Sequence, residues 1–131
     1  MKRRGLLNGP LLSHIGRLGH TDGVVVADCG LPVQRHVPVV DLAVRFGVPS
    51  FVDVLDVLLD EIVVESAVAA REIGEGPVRR WLADRETGLG GPAELVDHDR
   101  LKQLVGEAVL VVRTGESTPY ANVLLRCGVP F

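Results

Sequence analysis

The stretch Arg17-Leu18-Gly19-His20-Thr21-Asp22-Gly23-Val24-Val25-Val26-Ala27-Asp28-Cys29-Gly30-Leu31-Pro32 decides how this chain is read. A polar cluster leads into an apolar, β-branched run. The run ends on a carboxylate, and Gly and Pro then turn the chain. An apolar run from Val24 to Ala27, bounded in this way, predicts a short buried strand. That strand places His20 just before its start and Asp28 at its far end.

Upstream, Asn8-Gly9-Pro10 reads as a helix start, with Pro near the first helical position. Leu11, Leu12, Ile15 and Leu18 follow at helical spacing, and Gly19 is placed to end that helix in a left-handed conformation. His20 is then expected just past a helix C-terminus. Downstream, Val37 to Val44 reads as a second strand containing Asp41. Ser50 is positioned to cap a helix carrying Phe51, Val54, Leu55 and Leu58. The segment from Ile62 to Ile73 fits both periods, and Ala67, Ala69 and Ala70 favour helix by propensity. Pro77 opens a short helix with Trp81 and Leu82, and Thr87 to Pro92 is a loop. Ala93 to Val96, Ala108 to Val112 and Asn122 to Leu125 read as strands. Asp97 or His98 begins a helix with Leu101, Leu104 and Val105 on one face. Strands alternate with helices, so the expected class is α/β: a single domain over residues 1–131, its sheet flanked by helices. Several connections are too short for a crossover helix, so a wholly parallel sheet does not follow.

Hydrophobic residues make up 47% of the chain but aromatics only 4%, so the core must be built from Val, Leu, Ile and Ala. Such a core suits a sheet covered by helices. The net charge is −3, with no basic patch and no interleaved aromatics, which speaks against nucleic acid as a partner. Met1-Lys2-Arg3-Arg4 imitates the start of a signal peptide, but Asn8-Gly9-Pro10 interrupts the apolar run that would have to follow. No segment offers a charge-free transmembrane length, so no membrane association is expected. Cys29 and Cys127 form no CxxC pair and read as free thiols in a reducing compartment, which points to the cytoplasm.

His20 is the leading candidate for chemistry, because imidazole moves protons near neutral pH without a large pKa shift. A capping or surface role for the same residue is equally ordinary. Asp28 can accept hydrogen bonds from sugar hydroxyls beyond a strand end, or brace the turn at Gly30-Leu31-Pro32. His98 lies in Asp97-His98-Asp99, where a helix cap is the simpler role. Tyr120 and Asn122 would share one face if the backbone there were extended, and together they suit a neutral polyol. No HExxH or similar spacing exists, so no metal is expected. Gly115-Glu116 lacks the rest of a phosphate loop. Gly88-Leu89-Gly90-Gly91 does not lie between a clear strand and helix. No nucleotide cofactor is expected.

Five short stretches together resemble the D-ribose pyranase family of sugar mutarotases. They are Arg17-Leu18-Gly19-His20-Thr21-Asp22, Cys29-Gly30-Leu31-Pro32, Gly47-Val48-Pro49-Ser50-Phe51, Ser117-Thr118-Pro119-Tyr120-Ala121-Asn122 and the closing Gly128-Val129. The related fucose mutarotases share the His20 region, whereas the Ser117 to Asn122 tail is similar to the ribose branch. The Ala27-Asp28-Cys29 context and the region from Gly74 to Gly91 look less typical of the family. The resemblance implies a cofactor-independent isomerase that interconverts the pyranose and furanose forms of D-ribose by acid–base ring opening and closure. It matches His20 to the family's proton donor. Asp28, His98, Tyr120, Ala121 and Asn122 match its substrate-binding positions, Ala121 through backbone atoms alone. It also implies a strand for the first half of the Ile62 to Ile73 segment, and a ring-shaped homo-oligomer with sites between subunits. A mutarotase for another monosaccharide such as fucose, a non-catalytic sugar-binding module and an oligomeric scaffold are the competing readings.

Overall fold

The computed structural model describes residues 1–131. Six strands form one mixed sheet in the order β2-β5-β1-β6-β3-β4. They are β1 (Gly23–Ala27), β2 (Val39–Asp41), β3 (Val64–Ala70), β4 (Glu94–Val96), β5 (Leu110–Arg113) and β6 (Val123–Cys127). β5 pairs in parallel with β1 and β2, and β3 pairs in parallel with β4. β6 lies between β1 and β3 and is antiparallel to both, so it alone runs against the other five.

All five residues of β1 are buried, because the sheet is covered on both faces. Val24 and Val26 join the larger core with Val112, Leu125 and Ala69, beneath α2 (Phe51–Glu61), α1 (Gly9–Ile15) and α3 (Pro77–Ala83). Val25 and Ala27 face the other way, into a core with Val111, Leu124 and the Leu101, Leu104 and Val105 stripe of α4 (His98–Val105). Adjacent residues of one strand enter different cores because side chains alternate across a sheet.

Two caps fall where the side chains predict them. Asn8 accepts the Leu11 N–H at 2.9 Å to start α1, and Ser50 accepts the Asp53 N–H at 3.1 Å to start α2. Two expectations need correction, and the segment after Ile62, which fits both periods, resolves as the strand that the resemblance implies. α1 ends at Ile15, and Gly16 caps it with right-handed geometry. Gly19 lies three residues beyond, and the left-handed residue there is Thr21, at φ 69°. The segment after Ile62 is a strand followed by a 3-10 turn at Arg71–Ile73. Burial between β6 and β4 overrides the helical propensity of its alanines. Tyr120 is not extended: its φ is 63°, and the Asn122 N–H donates to its carbonyl at 2.7 Å.

Candidate active site

With five strands running one way, their carboxyl ends share an edge of the sheet, and β6 begins there. Ligands of open α/β sheets gather at such an edge. Asp28 follows β1, His98 follows β4, and Tyr120 to Asn122 lead into β6. Asp28, Gly30, Pro32, His98, Tyr120 and Asn122 line an open cleft of about 210 Å³.

Asn122 is completely buried and pairs with Asp28 twice. Its Nδ2 donates to Asp28 Oδ2 at 2.8 Å, and its Oδ1 accepts the Asp28 N–H at 2.9 Å. Asp28 Oδ1 accepts the Gly30 N–H at 2.9 Å. Asp28 therefore braces the turn through one oxygen, and its other oxygen is held by Asn122 at the cleft. The left-handed turn at Tyr120 separates its neighbours. It leaves the phenol partly exposed while Ala121 and Asn122 are buried. The His98 and Tyr120 rings meet edge to face at a centroid distance of 5.1 Å. His98 Nδ1 is buried and has no hydrogen-bond partner. A buried polar atom of this kind calls for a partner, and it belongs to a residue that lines the cleft.

Two carboxylates that the sequence did not single out hold this edge together. Glu72 accepts the His98 N–H through both oxygens at 3.0 Å, so a residue from beyond β3 caps α4, while the Asp97 side chain makes no cap bond. These contacts with the His98 backbone hold the Glu72 carboxyl below its ordinary pKa. Glu116 is buried beneath the Tyr120 turn. Its carboxylate accepts from Ser117 N, Thr118 N, Thr118 Oγ1 and Phe51 N at 2.8–3.2 Å. Burial alone would raise its pKa, but those donors outweigh burial and hold the carboxyl below its usual value. Its own carbonyl accepts the Cys29 N–H at 2.9 Å, which ties the Tyr120 turn to Asp28. The preceding residue must be glycine, since a Cβ on Gly115 would collide with the carbonyl oxygens of Arg45 and Val48. The signal for Glu116 was present as a lone charge in Thr114-Gly115-Glu116-Ser117, but a surface glutamate looks the same in a sequence.

His20 is not in this cleft. It sits at the opposite edge, beside a mainly apolar pocket of about 550 Å³ that includes Ile15, Leu18, Ile62 and Val63. Its Nε2 lies 2.9 Å from Glu65 Oε2, and both side chains are half exposed. Five residues of β1 separate the edges, about 16 Å at 3.3 Å per residue. One chain thus brings Asp28, His98, Tyr120 and Asn122 together and leaves His20 apart. No three residues of the His, Cys, Asp and Glu types are grouped to hold a metal ion.

Residues 1–130 match the RbsD / FucU transport protein family. The chain belongs to this family. D-ribose pyranase 1 from Rubrobacter xylanophilus is 53% identical across the whole of both chains. Bacillus subtilis RbsD, in a structure complexed with D-ribose, superposes with a TM-score of 0.93 at 41% identity, also covering both chains fully. FucU from Bifidobacterium longum shares the fold, with a TM-score of 0.80 at 21% identity over 95% of each chain. In identity the chain stands nearer D-ribose pyranase 1 and RbsD than this FucU. No helix is long and apolar enough to cross a membrane.

Proposed function

We infer that this chain has D-ribose pyranase activity: it is an isomerase that interconverts the pyranose and furanose forms of D-ribose. The observation that carries this is the 53% identity to a D-ribose pyranase across the full length of both chains. The chemistry of the cleft agrees with it. Ring opening requires a proton on the ring oxygen and loss of one from the anomeric hydroxyl. Closure through another hydroxyl reverses the same transfers, and no covalent intermediate is needed.

His20 donates the proton to the ring oxygen. Asp28, held by Asn122 and Gly30, accepts from sugar hydroxyls. Tyr120, Asn122, the Ala121 backbone and His98 Nδ1 orient the open chain so that the correct hydroxyl faces the carbonyl. Asp28, His98 or an ordered water takes the anomeric proton. Because His20 and Asp28 lie at opposite edges of one chain, the working site forms where one copy's His20 edge meets another's Asp28 edge, within a homo-oligomeric ring. The free thiols Cys29 and Cys127 fit a cytoplasmic location.

The test is saturation-transfer NMR between the anomeric signals of ribose, with purified protein and no added cofactor. Exchange should rise with protein concentration and survive chelator treatment. Exchange equal to the buffer rate at every concentration would remove the enzyme reading and leave a sugar binder at most.

A further inference from the structure

Two backbone irregularities flank His20, and neither serves the core. Thr21 is left-handed at φ 69°, a costly conformation for a β-branched residue, and its N–H donates to the Cys127 carbonyl at 2.8 Å. Across β6, the pairing of β3 shifts between Val64 and Ser66: Val64 faces Cys127 and Ser66 faces Arg126. Glu65 is the extra residue of that bulge. Bulges re-aim a side chain, and this one directs the Glu65 carboxylate to His20 at 2.9 Å. The bulge is backed by Gly90, where a Cβ would collide with the Glu65 carbonyl. A half-exposed pair contributes little stability, so folding energy does not account for this construction.

The other acids near His20 are engaged elsewhere. Glu61 Oε1 accepts the Leu6 N–H at 2.7 Å, and Asp22 Oδ2 accepts the Gly19 N–H at 2.8 Å. A carboxylate only accepts hydrogen bonds, so the hydrogen between Glu65 and His20 sits on Nε2. The neutral ring is then the Nε2–H tautomer, with its lone pair on Nδ1.

We propose that Glu65 is a positioning residue for His20, fixing the Nε2–H tautomer and leaving Nδ1 as the nitrogen that exchanges a proton with the sugar. This rests on His20 being the proton donor. In the forward step the imidazolium gives its Nδ1 proton to the ring oxygen as the bond from that oxygen to the anomeric carbon breaks, while the base takes the anomeric hydroxyl proton and that oxygen becomes the carbonyl. Nδ1 keeps the N–H bonding pair as its lone pair, and Nε2–H remains hydrogen-bonded to Glu65. Closure returns a proton to Nδ1.

The test uses the full chain with 15N-labelled histidine at about pH 8, where a free imidazole is neutral. Long-range 15N–1H correlations read the tautomer, and His20→Asn assigns the signals. The expected result is Nε2 protonated and Nδ1 bare in the parent, with that preference lost in Glu65→Ala. Ribose exchange in Glu65→Ala should lose about 10- to 100-fold in kcat with KM nearly unchanged, the loss typical when the hydrogen-bonded partner of a metal-ligating histidine is removed. Glu65→Gln, which keeps an acceptor, should restore the tautomer and part of the rate. A parent spectrum with Nδ1 protonated overturns the proposal whatever the activity. So does a Glu65→Ala variant with the parent tautomer and rate. A His20→Asn variant exchanging ribose at the parent rate would instead remove the donor reading beneath it.

Discussion

At the scale of single residues, His20 and Asn122 do different work and should fail differently. The His20 side chain is half exposed, so His20→Asn should fold normally and bind ribose in part. It keeps a hydrogen-bond donor but transfers no proton near pH 7, so exchange should fall by about 10²–10⁴-fold. Calorimetry beside exchange NMR checks both halves; equal losses of binding and turnover would recast His20 as a sugar-holding group. Asn122 is fully buried and is the clamp on Asp28. Asn122→Ala removes both bonds to Asp28 and should cost about 1–3 kcal/mol of stability, the price of a polar group left unpartnered. Ribose affinity should fall with it. Urea unfolding and ribose titration would measure the two, and an unchanged variant would mean Asp28 needs no clamp.

At the scale of elements, Glu116 joins the start of α2, the end of β1 and the turn before β6. Its carboxyl pKa is depressed in the folded chain. The contribution is therefore fully present above the unfolded carboxyl value, about 4.3, and is lost as pH falls through the lower folded value. The Tm gap between parent and Glu116→Gln should be widest above about pH 5 and narrow towards pH 3. A gap independent of pH would show that shape, not charge, matters at this position. The same elements mark how far the sequence could be read. β1 and α2 were legible because a Val run and a Ser-capped apolar stripe each carry their own period. β3 was ambiguous because Ala67, Ala69 and Ala70 favour one structure locally while β6 imposes another. The resemblance points to Asp28, His98, Tyr120 and Asn122, and one cleft gathers all four. What stayed hidden was made by backbone: the left-handed Thr21 and Tyr120, the bulge at Glu65, and Glu72 capping a helix that begins 26 residues later. Each depends on neighbours remote in sequence, and no local pattern records it.

At the scale of the whole molecule, the proposed mechanism makes assembly a condition of catalysis, because His20 and Asp28 lie at opposite edges of one chain. Light scattering should give a mass several times the 14.1 kDa of one chain. A strict monomer at micromolar concentration would contradict the shared site. A sharper test mixes two inactive variants, His20→Asn and Asp28→Asn, after dissociation and reassembly. Random mixing pairs an intact His20 with an intact Asp28 at about a quarter of the interfaces, so about that share of parent activity should return. No recovery, in rings shown to be mixed, would place the whole site within one chain. The sheet order has a consequence for how the molecule is made. β6 is the last strand along the chain, yet it occupies the middle of the sheet, pairing Arg126 with Gly23 and Leu125 with Ala67. Without Val123–Cys127 nothing joins β2-β5-β1 to β3-β4, and β1 and β3 each present an unpaired inner edge. Closure waits for the final segment and depends on contacts across most of the chain, a topology that folds slowly. Until the central strand pairs with both, those inner edges are where a partly folded chain is open to association with another.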